Sequence, residues 1–69
     1  MSDLHAFLLA AHASGDQDAL IAGYTAAADQ QDSIDAACFF LTHAYVFALE
    51  TADPRMSELK SRLAAHGRI

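Results

Sequence analysis

The chain has 69 residues, of which 54% are hydrophobic, and its formal net charge is −5 from 9 acidic and 4 basic residues. The apolar content excludes intrinsic disorder, and the negative charge excludes nucleic acid as a partner, because phosphate would repel the molecule. The single cysteine excludes an intramolecular disulfide. A chain of this length is close to the lower limit for a self-sufficient core, and without disulfides such chains usually depend on a metal or a partner chain.

The N-terminus predicts no targeting segment, because it carries no basic residue and no long apolar region. The longest apolar run, 36–49, is shorter than the ~20 residues that a membrane-spanning helix needs. With one unpaired thiol as well, we expect a cytoplasmic protein with no membrane as partner.

Two helices are predicted in the first part of the chain, over 3–14 and 17–29. Apolar residues at helical spacing form the inner stripe of the first helix: Leu4, Phe7, Leu8 and Ala11. Gly15 can adopt the left-handed conformation that ends a helix, and Asp16 can cap the next one. Gly23 costs up to about 1 kcal/mol against alanine inside the second helix. We therefore expect another helix to approach closely at Gly23.

The third predicted helix, over 33–52, is the most apolar segment and organises the fold. Its main apolar line recurs at steps of four and three residues: Ile34, Cys38, Leu41, Tyr45, Ala48 and Ala52. Further apolar rows surround most of the helix, as is typical of a helix buried by several neighbours. Phe39 and Val46 fall on its polar side, so the fourth helix or another molecule is expected to cover them.

A fourth helix is predicted over 54–66, with Pro54 in its first position and Asp53 as its cap. Glu58 and Arg62 are expected to form an ion pair one helical turn apart. The sequence has no sustained period-two alternation and no hairpin turn signal. It therefore predicts an all-α, single-domain fold over 1–69, with four helices arranged as two helical hairpins in an antiparallel bundle.

Residues 17–54 combine two successive helices, small residues at their contact, a short acidic turn and a closing Asp53-Pro54. This arrangement resembles a tetratricopeptide-type helical hairpin, with 20–24 matching its first helix and 35–54 its second helix and end. The resemblance implies packing of the α-α superhelix type. Gly15-Asp16 is echoed 37 residues later by Ala52-Asp53, which indicates either one and a half degenerate units or two ordinary helix starts.

The four histidines raise the possibility of a metal site. His5 and His12 share a helix face but lie about 10 Å apart along the axis, too far for one ion to bridge directly. Cys38 points about 140° away from His43 around the same helix, which argues against a nucleophilic dyad. We therefore predict no catalytic residues, no enzymatic activity, no metal and no cofactor. A site shared between helices or chains, using His43 with His5 or His12, stays an open alternative.

All basic residues follow Pro54: Arg55, Lys60, Arg62 and Arg68. They have two interpretations. A basic last helix can pack over the acidic body of its own chain or of a second copy, which is the ordinary arrangement. Alternatively, the four residues can serve as a basic handle for an acidic partner.

The predicted interaction surface lies on the third helix: Phe39, Phe40, His43, Tyr45, Val46 and Phe47. Three short neighbouring helices leave part of this helix without cover, in a chain that is small for an independent core. We therefore expect a non-enzymatic protein–protein interaction module that self-associates as a two-fold homodimer through 33–52, or that binds another protein. The alternative is a small ligand- or metal-binding bundle that uses histidines from different helices.

Overall fold

The computed structural model describes residues 3–69 and contains four helices: α1 (Asp3–Ser14), α2 (Gln17–Asp29), α3 (Ile34–Glu50) and α4 (Met56–Ala65). No strand occurs among these residues, and helices adjacent in sequence pack against one another, which confirms the all-α fold class. The Cα atoms span 32 × 28 × 12 Å, so the four helices form a thin, compact row. In the part of the chain described, no helix combines the length and the apolar content needed to cross a membrane.

Side-chain caps fix where α2 and α3 begin. The Asp16 carboxylate accepts a hydrogen bond from the Ala19 amide at 3.1 Å, and the Ser33 hydroxyl accepts one from the Ala36 amide at 3.3 Å. Each cap satisfies an amide that has no partner within its own helix. Ser33 is therefore the cap of α3, and the helix itself begins at Ile34, one residue after the start of the predicted range 33–52.

The turns after α1 and after α3 have the same geometry. Gly15 has φ +68° and Ala52 has φ +52°, and each is followed by an aspartate. The amides of Asp16 and Asp53 donate to carbonyls five residues earlier, at 3.0 and 2.9 Å. This bond closes a helix that is followed, within two residues, by a left-handed residue. It ends α3 at Glu50, two residues before the predicted end.

The fourth helix is also shorter than the predicted range 54–66. The Met56 amide donates to the Asp53 carbonyl at 3.0 Å, and the Ser57 amide donates to the Pro54 carbonyl at 3.4 Å. These bonds join residues three apart and make a tight turn before the regular helix begins. The Asp53 carboxylate accepts the Arg55 amide at 2.9 Å, so it caps this turn and not a helix that starts at Pro54.

The core runs through the last three helices. Ile21, Leu41 and Leu63 are each 1% exposed and come from α2, α3 and α4. Burying a side chain of this size stabilises the fold by roughly 1.5–3 kcal/mol. The apolar line expected along α3 is buried at Leu41 but not at Ile34, which is 56% exposed because it is the first residue of the helix.

Gly23 is the place where α1 meets α2. A Cβ atom at this position would lie 2.7 Å from Leu8 Cδ2 and 3.1 Å from Phe7 Cε1. Both distances are shorter than ordinary carbon–carbon contacts. The close helix approach expected at this glycine is therefore confirmed.

Two ion pairs connect the α4 region to α2. Arg55, just before α4, pairs with Asp18 in the first turn of α2 at 2.5 Å. Arg62, near the end of α4, pairs with Asp29 at the end of α2, also at 2.5 Å. The start of α4 is thus paired with the start of α2, and the end of α4 with the end of α2. The two helices therefore run in the same direction. Arg62 therefore pairs with Asp29 and not with Glu58, as was expected from helical spacing.

Candidate interaction surface

Side chains of α1, α2 and α3 meet on one surface, which we call the groove. Tyr24 of α2 belongs to this groove and contacts rings from both α1 and α3. Its ring stacks on Phe40, His43 and Phe47, with centroid distances of 6.3, 5.0 and 5.9 Å. We call the rings joined here the aromatic cluster: His12, Tyr24, Phe39, Phe40, His43 and Phe47.

His12 connects α1 to the rest of the aromatic cluster. Its Nε2 and the Tyr24 hydroxyl are hydrogen-bonded at 2.8 Å, and its ring meets Phe47 edge-on at a centroid distance of 6.2 Å. A tyrosine packed between helices needs such a partner, because its hydroxyl would otherwise lose hydrogen bonds to water. His12 thus ties the end of α1 to α3 across Tyr24.

His43 is held in one orientation by its neighbours. Its Nδ1 lies 2.8 Å from the Phe39 carbonyl oxygen. Because a carbonyl can only accept, Nδ1 carries the proton and donates this bond. The ring also lies 5.0 Å from Tyr24 and 4.7 Å from Phe39, measured between centroids. The Nε2 of the neutral ring therefore remains an acceptor.

Phe39 and Val46 form the exposed row of the surface. Phe39 is 61% exposed and Val46 is 45% exposed, so α4 does not cover them. They are seven residues apart, which places them on one side of α3 about 10 Å from each other. Phe40, His43 and Phe47 lie beside this row and are half-buried.

Tyr45 is placed differently from the other five predicted surface residues. Like Phe40 and Phe47, it is half-buried and packs against the hydrophobic core, but none of the ring contacts found in residues 3–69 joins it to the aromatic cluster. On a regular helix it lies about 120° around the axis from Phe39. The structure thus brings Phe40, His43 and Phe47 together around Tyr24 and directs Tyr45 elsewhere.

A shallow cleft of about 210 Å³ opens at one end of the groove. Residues from three helices and the turn after α2 line it: Leu4, His5, Leu8, Ala27, Gln30, Gln31 and Phe40. Phe40 is shared between the cleft and the aromatic cluster, and its centroid lies 5.4 Å from that of Phe39. The cleft, the cluster and the exposed row are therefore one continuous surface.

The residues predicted as a basic handle are mostly engaged within the chain. Arg55, Arg62 and Arg68 each pair with an aspartate of the α2–α3 body or of the turn that follows it. Among the described residues, Lys60 alone of the four predicted handle residues has no such partner. This is the packing of a basic last helix over the acidic body of its own chain.

Asp53 and Arg55 show the electrostatic consequence of this pairing. The side-chain hydrogen bond from Arg55, together with the bond from its amide, lowers the pKa of Asp53 from 3.8 to about 2. The same side-chain bond raises the pKa of Arg55, and the bond to Asp35 raises the pKa of Arg68. These charges therefore stabilise the folded arrangement of α4.

Three of the four histidines lie at the groove, whereas His66 is the C-cap of α4. His12 and His43 both contact Tyr24, whereas His5 lines the cleft. Within residues 3–69, no group of three His, Cys, Asp or Glu side chains is arranged to hold a metal ion. Cys38 is buried in the core.

Tyr24 is the residue of the aromatic cluster that helical spacing alone did not identify. Its spacing with Leu20 and Ala27 predicts the buried side of α2, and it is indeed half-buried against the core, but it also contacts rings from α1 and α3. The signal that could have identified it is its hydroxyl, because a tyrosine between helices needs a polar partner and the half-exposed histidines are the available ones. That partner is His12.

The surface described here is made of aromatic rings, an exposed apolar row and a cleft with glutamines at its edge. Aromatic side chains of this kind are enriched where proteins contact one another. No protein-family model matches this chain, and no curated protein or solved structure is detectably similar to it.

Proposed function

We propose that the chain is a non-enzymatic interaction module whose contact surface is the aromatic cluster together with Val46. The observation that carries this proposal is the exposed row on α3, where Phe39 is 61% exposed and Val46 is 45% exposed. Keeping such a patch in water costs roughly 25 cal/mol per Å² relative to burying it. Contiguous exposed apolar patches often mark contact sites.

We propose further that the module self-associates as a two-fold homodimer through α3 and the groove that α3 borders. The thin row of helices supports this step, because a 69-residue chain arranged in this way buries a small core. A symmetric dimer places the same patch of both copies in contact, so one apolar surface is enough.

Sedimentation equilibrium over a hundredfold dilution tests the proposal. The wild type should sediment as a dimer, and Phe39→Glu should sediment as a monomer with unchanged helical circular dichroism. Leu9→Glu is the matched control, because Leu9 is a 54% exposed apolar residue of α1 that is neither in the aromatic cluster nor among the residues lining the cleft.

A wild-type monomer at every concentration would refute self-association. A Phe39→Glu dimer as tight as the wild type would refute the assignment of the surface. A monomeric Leu9→Glu variant would move the contact to the exposed surface of α1 around Leu9.

The likeness of 17–54 to a tetratricopeptide hairpin is also part of the proposal. In this interpretation α2 and α3 form one unit, and α4 is the first helix of a second. The common direction of α2 and α4 supports it, as does the shared geometry of the turns at Gly15 and Ala52.

A second candidate function is the binding of a small ligand or metal ion by histidines from different helices. The convergence of His12 and His43 on Tyr24 favours it. Elemental analysis of protein purified without chelator or histidine tag tests the metal version. A preparation that contains no stoichiometric metal would leave only the binding of an organic ligand.

A further inference from the structure

We propose that the dimer forms by reciprocal exchange, with the Phe39 ring of each copy seated in the cleft of the other copy. The walls that receive the ring are Leu4, Leu8, Ala27 and Phe40. This inference rests on the self-association proposed above. It adds which side chain inserts, Phe39, which we call the anchor, and which site accepts it, the cleft, which we call the receptor.

Phe39 has the properties of an anchor. It is 61% exposed, yet its ring is positioned by Phe40 at 5.4 Å and by His43 at 4.7 Å between centroids. His43 in turn donates a hydrogen bond to the Phe39 carbonyl. A side chain that is already positioned loses less conformational freedom on association, which favours binding.

The cleft has the properties of a receptor for an aromatic ring. Its volume is about 210 Å³, whereas a cavity of ~150 Å³ is enough to hold benzene. Four of its seven lining residues are apolar, the others being His5, Gln30 and Gln31, and Phe40 offers an aromatic partner for edge-to-face packing. Gln30 and Gln31 at its edge can form hydrogen bonds across an interface without adding charge.

The position of the anchor next to the receptor favours a second copy as the occupant. Phe39 packs against Phe40, and Phe40 is a wall of the cleft. A two-fold axis close to Phe40 would therefore bring each Phe39 over the cleft of the other copy. This is the reciprocal relation of a symmetric interface, in which residue i contacts j while j contacts i.

The charges around the cleft have mixed effects on this contact. Each copy carries a net charge of −5, so association is favoured where acidic side chains are absent or already paired. Asp32, next to Gln31 at the edge of the cleft, is exposed and has no ion pair among the described residues. The cleft is lined by no acidic residue. Asp35, one helical turn before Phe39, is paired with Arg68 of its own chain.

A mixing experiment tests the exchange. Phe39→Ala removes the anchor and keeps the cleft, whereas Leu4→Trp keeps the anchor and fills the cleft. Each variant alone should dimerise at least about tenfold more weakly than the wild type, as expected for a central interface residue. An equimolar mixture should form heterodimers at concentrations where neither variant forms homodimers, because one intact anchor–cleft contact is restored. Native mass spectrometry measures all three species.

Gln30→Trp is the second cleft-blocking variant, because Gln30 is exposed at the edge of the cleft and its replacement disturbs no buried side chain. Circular dichroism verifies that each variant is folded. Absence of heterodimers in mixtures with both blocking variants would overturn the exchange.

The outcomes separate the inference from the proposed function. Suppose that the wild type is a dimer and Phe39→Glu dissociates it, but Phe39→Ala and both blocking variants dimerise as tightly as the wild type. This result would support the proposed surface and overturn the exchange. A wild-type monomer at every concentration overturns self-association and the exchange with it.

Discussion

Replacing Ala52 by glycine should stabilise the protein. Within residues 3–69, Ala52 is the one residue with a positive φ that is not a glycine. At φ +52° the alanine Cβ crowds the following carbonyl, which costs roughly 1–2 kcal/mol. Glycine removes this cost but gives the unfolded chain more conformational freedom, which offsets about 0.4–1 kcal/mol of the gain in stability. The expected net gain in the free energy of unfolding is about 0.5–1 kcal/mol.

Gly15→Ala is the matched control at the equivalent turn. Gly15 has φ +68°, and a Cβ atom there would meet nothing within 4 Å, so the substitution changes only the backbone term. It should lower the free energy of unfolding by a similar ~0.5–1 kcal/mol.

Urea unfolding followed by circular dichroism measures both variants, at one protein concentration because association adds to apparent stability. Midpoints should shift in opposite directions with unchanged slopes. In a chain of this size, 1 kcal/mol corresponds to a Tm change of about 4–8 °C. An Ala52→Gly variant no more stable than the wild type, beside a destabilised Gly15→Ala, would refute the strain assigned to Ala52.

Two further predictions concern single side chains. The pKa of Asp53 is lowered to about 2 from 3.8, so its contribution to stability is full above pH ~4 and is lost as the pH falls toward 2. The difference in unfolding free energy between wild type and Asp53→Asn should shrink over that range, and a constant difference would contradict the assignment. Gly23→Val should cost about 1–3 kcal/mol, because it adds two γ-methyl groups beyond a Cβ that would already lie 2.7 Å from Leu8 Cδ2. Gly23→Ala should stay within about 1 kcal/mol of the wild type, because the terminal methyl of Leu8 can move and alanine favours the helix. Equal losses in urea unfolding for the two Gly23 variants would refute this account.

The helix ends were predictable wherever the sequence carries an explicit signal. Gly15 and Asp16 mark the boundary between α1 and α2, whose ranges agree with the predicted 3–14 and 17–29. The end of α3 has no such signal, because alanine rarely adopts the left-handed conformation found at Ala52. The available clue was the repetition of Gly15-Asp16 by Ala52-Asp53, which the shared turn geometry explains.

The surface was predictable only where it follows the geometry of one helix. The exposed row of Phe39 and Val46 follows from their position on the polar side of α3. Contacts between distant segments do not follow from spacing. Arg62 pairs with Asp29, 33 residues away, and not with Glu58 of its own helix. Tyr24 forms a hydrogen bond with His12 because tertiary packing brings α1 and α2 together.

The row arrangement of the helices also bears on how quickly the chain folds. Each helix packs closely only against its neighbours in sequence, so most contacts join residues that are already near one another along the chain. Forming such contacts closes short loops, which costs less entropy than joining distant segments. Chains of low contact order fold in microseconds to milliseconds, and we expect this protein to be among them. The α2–α3 hairpin, which contributes most of the buried core, is the natural place for folding to begin.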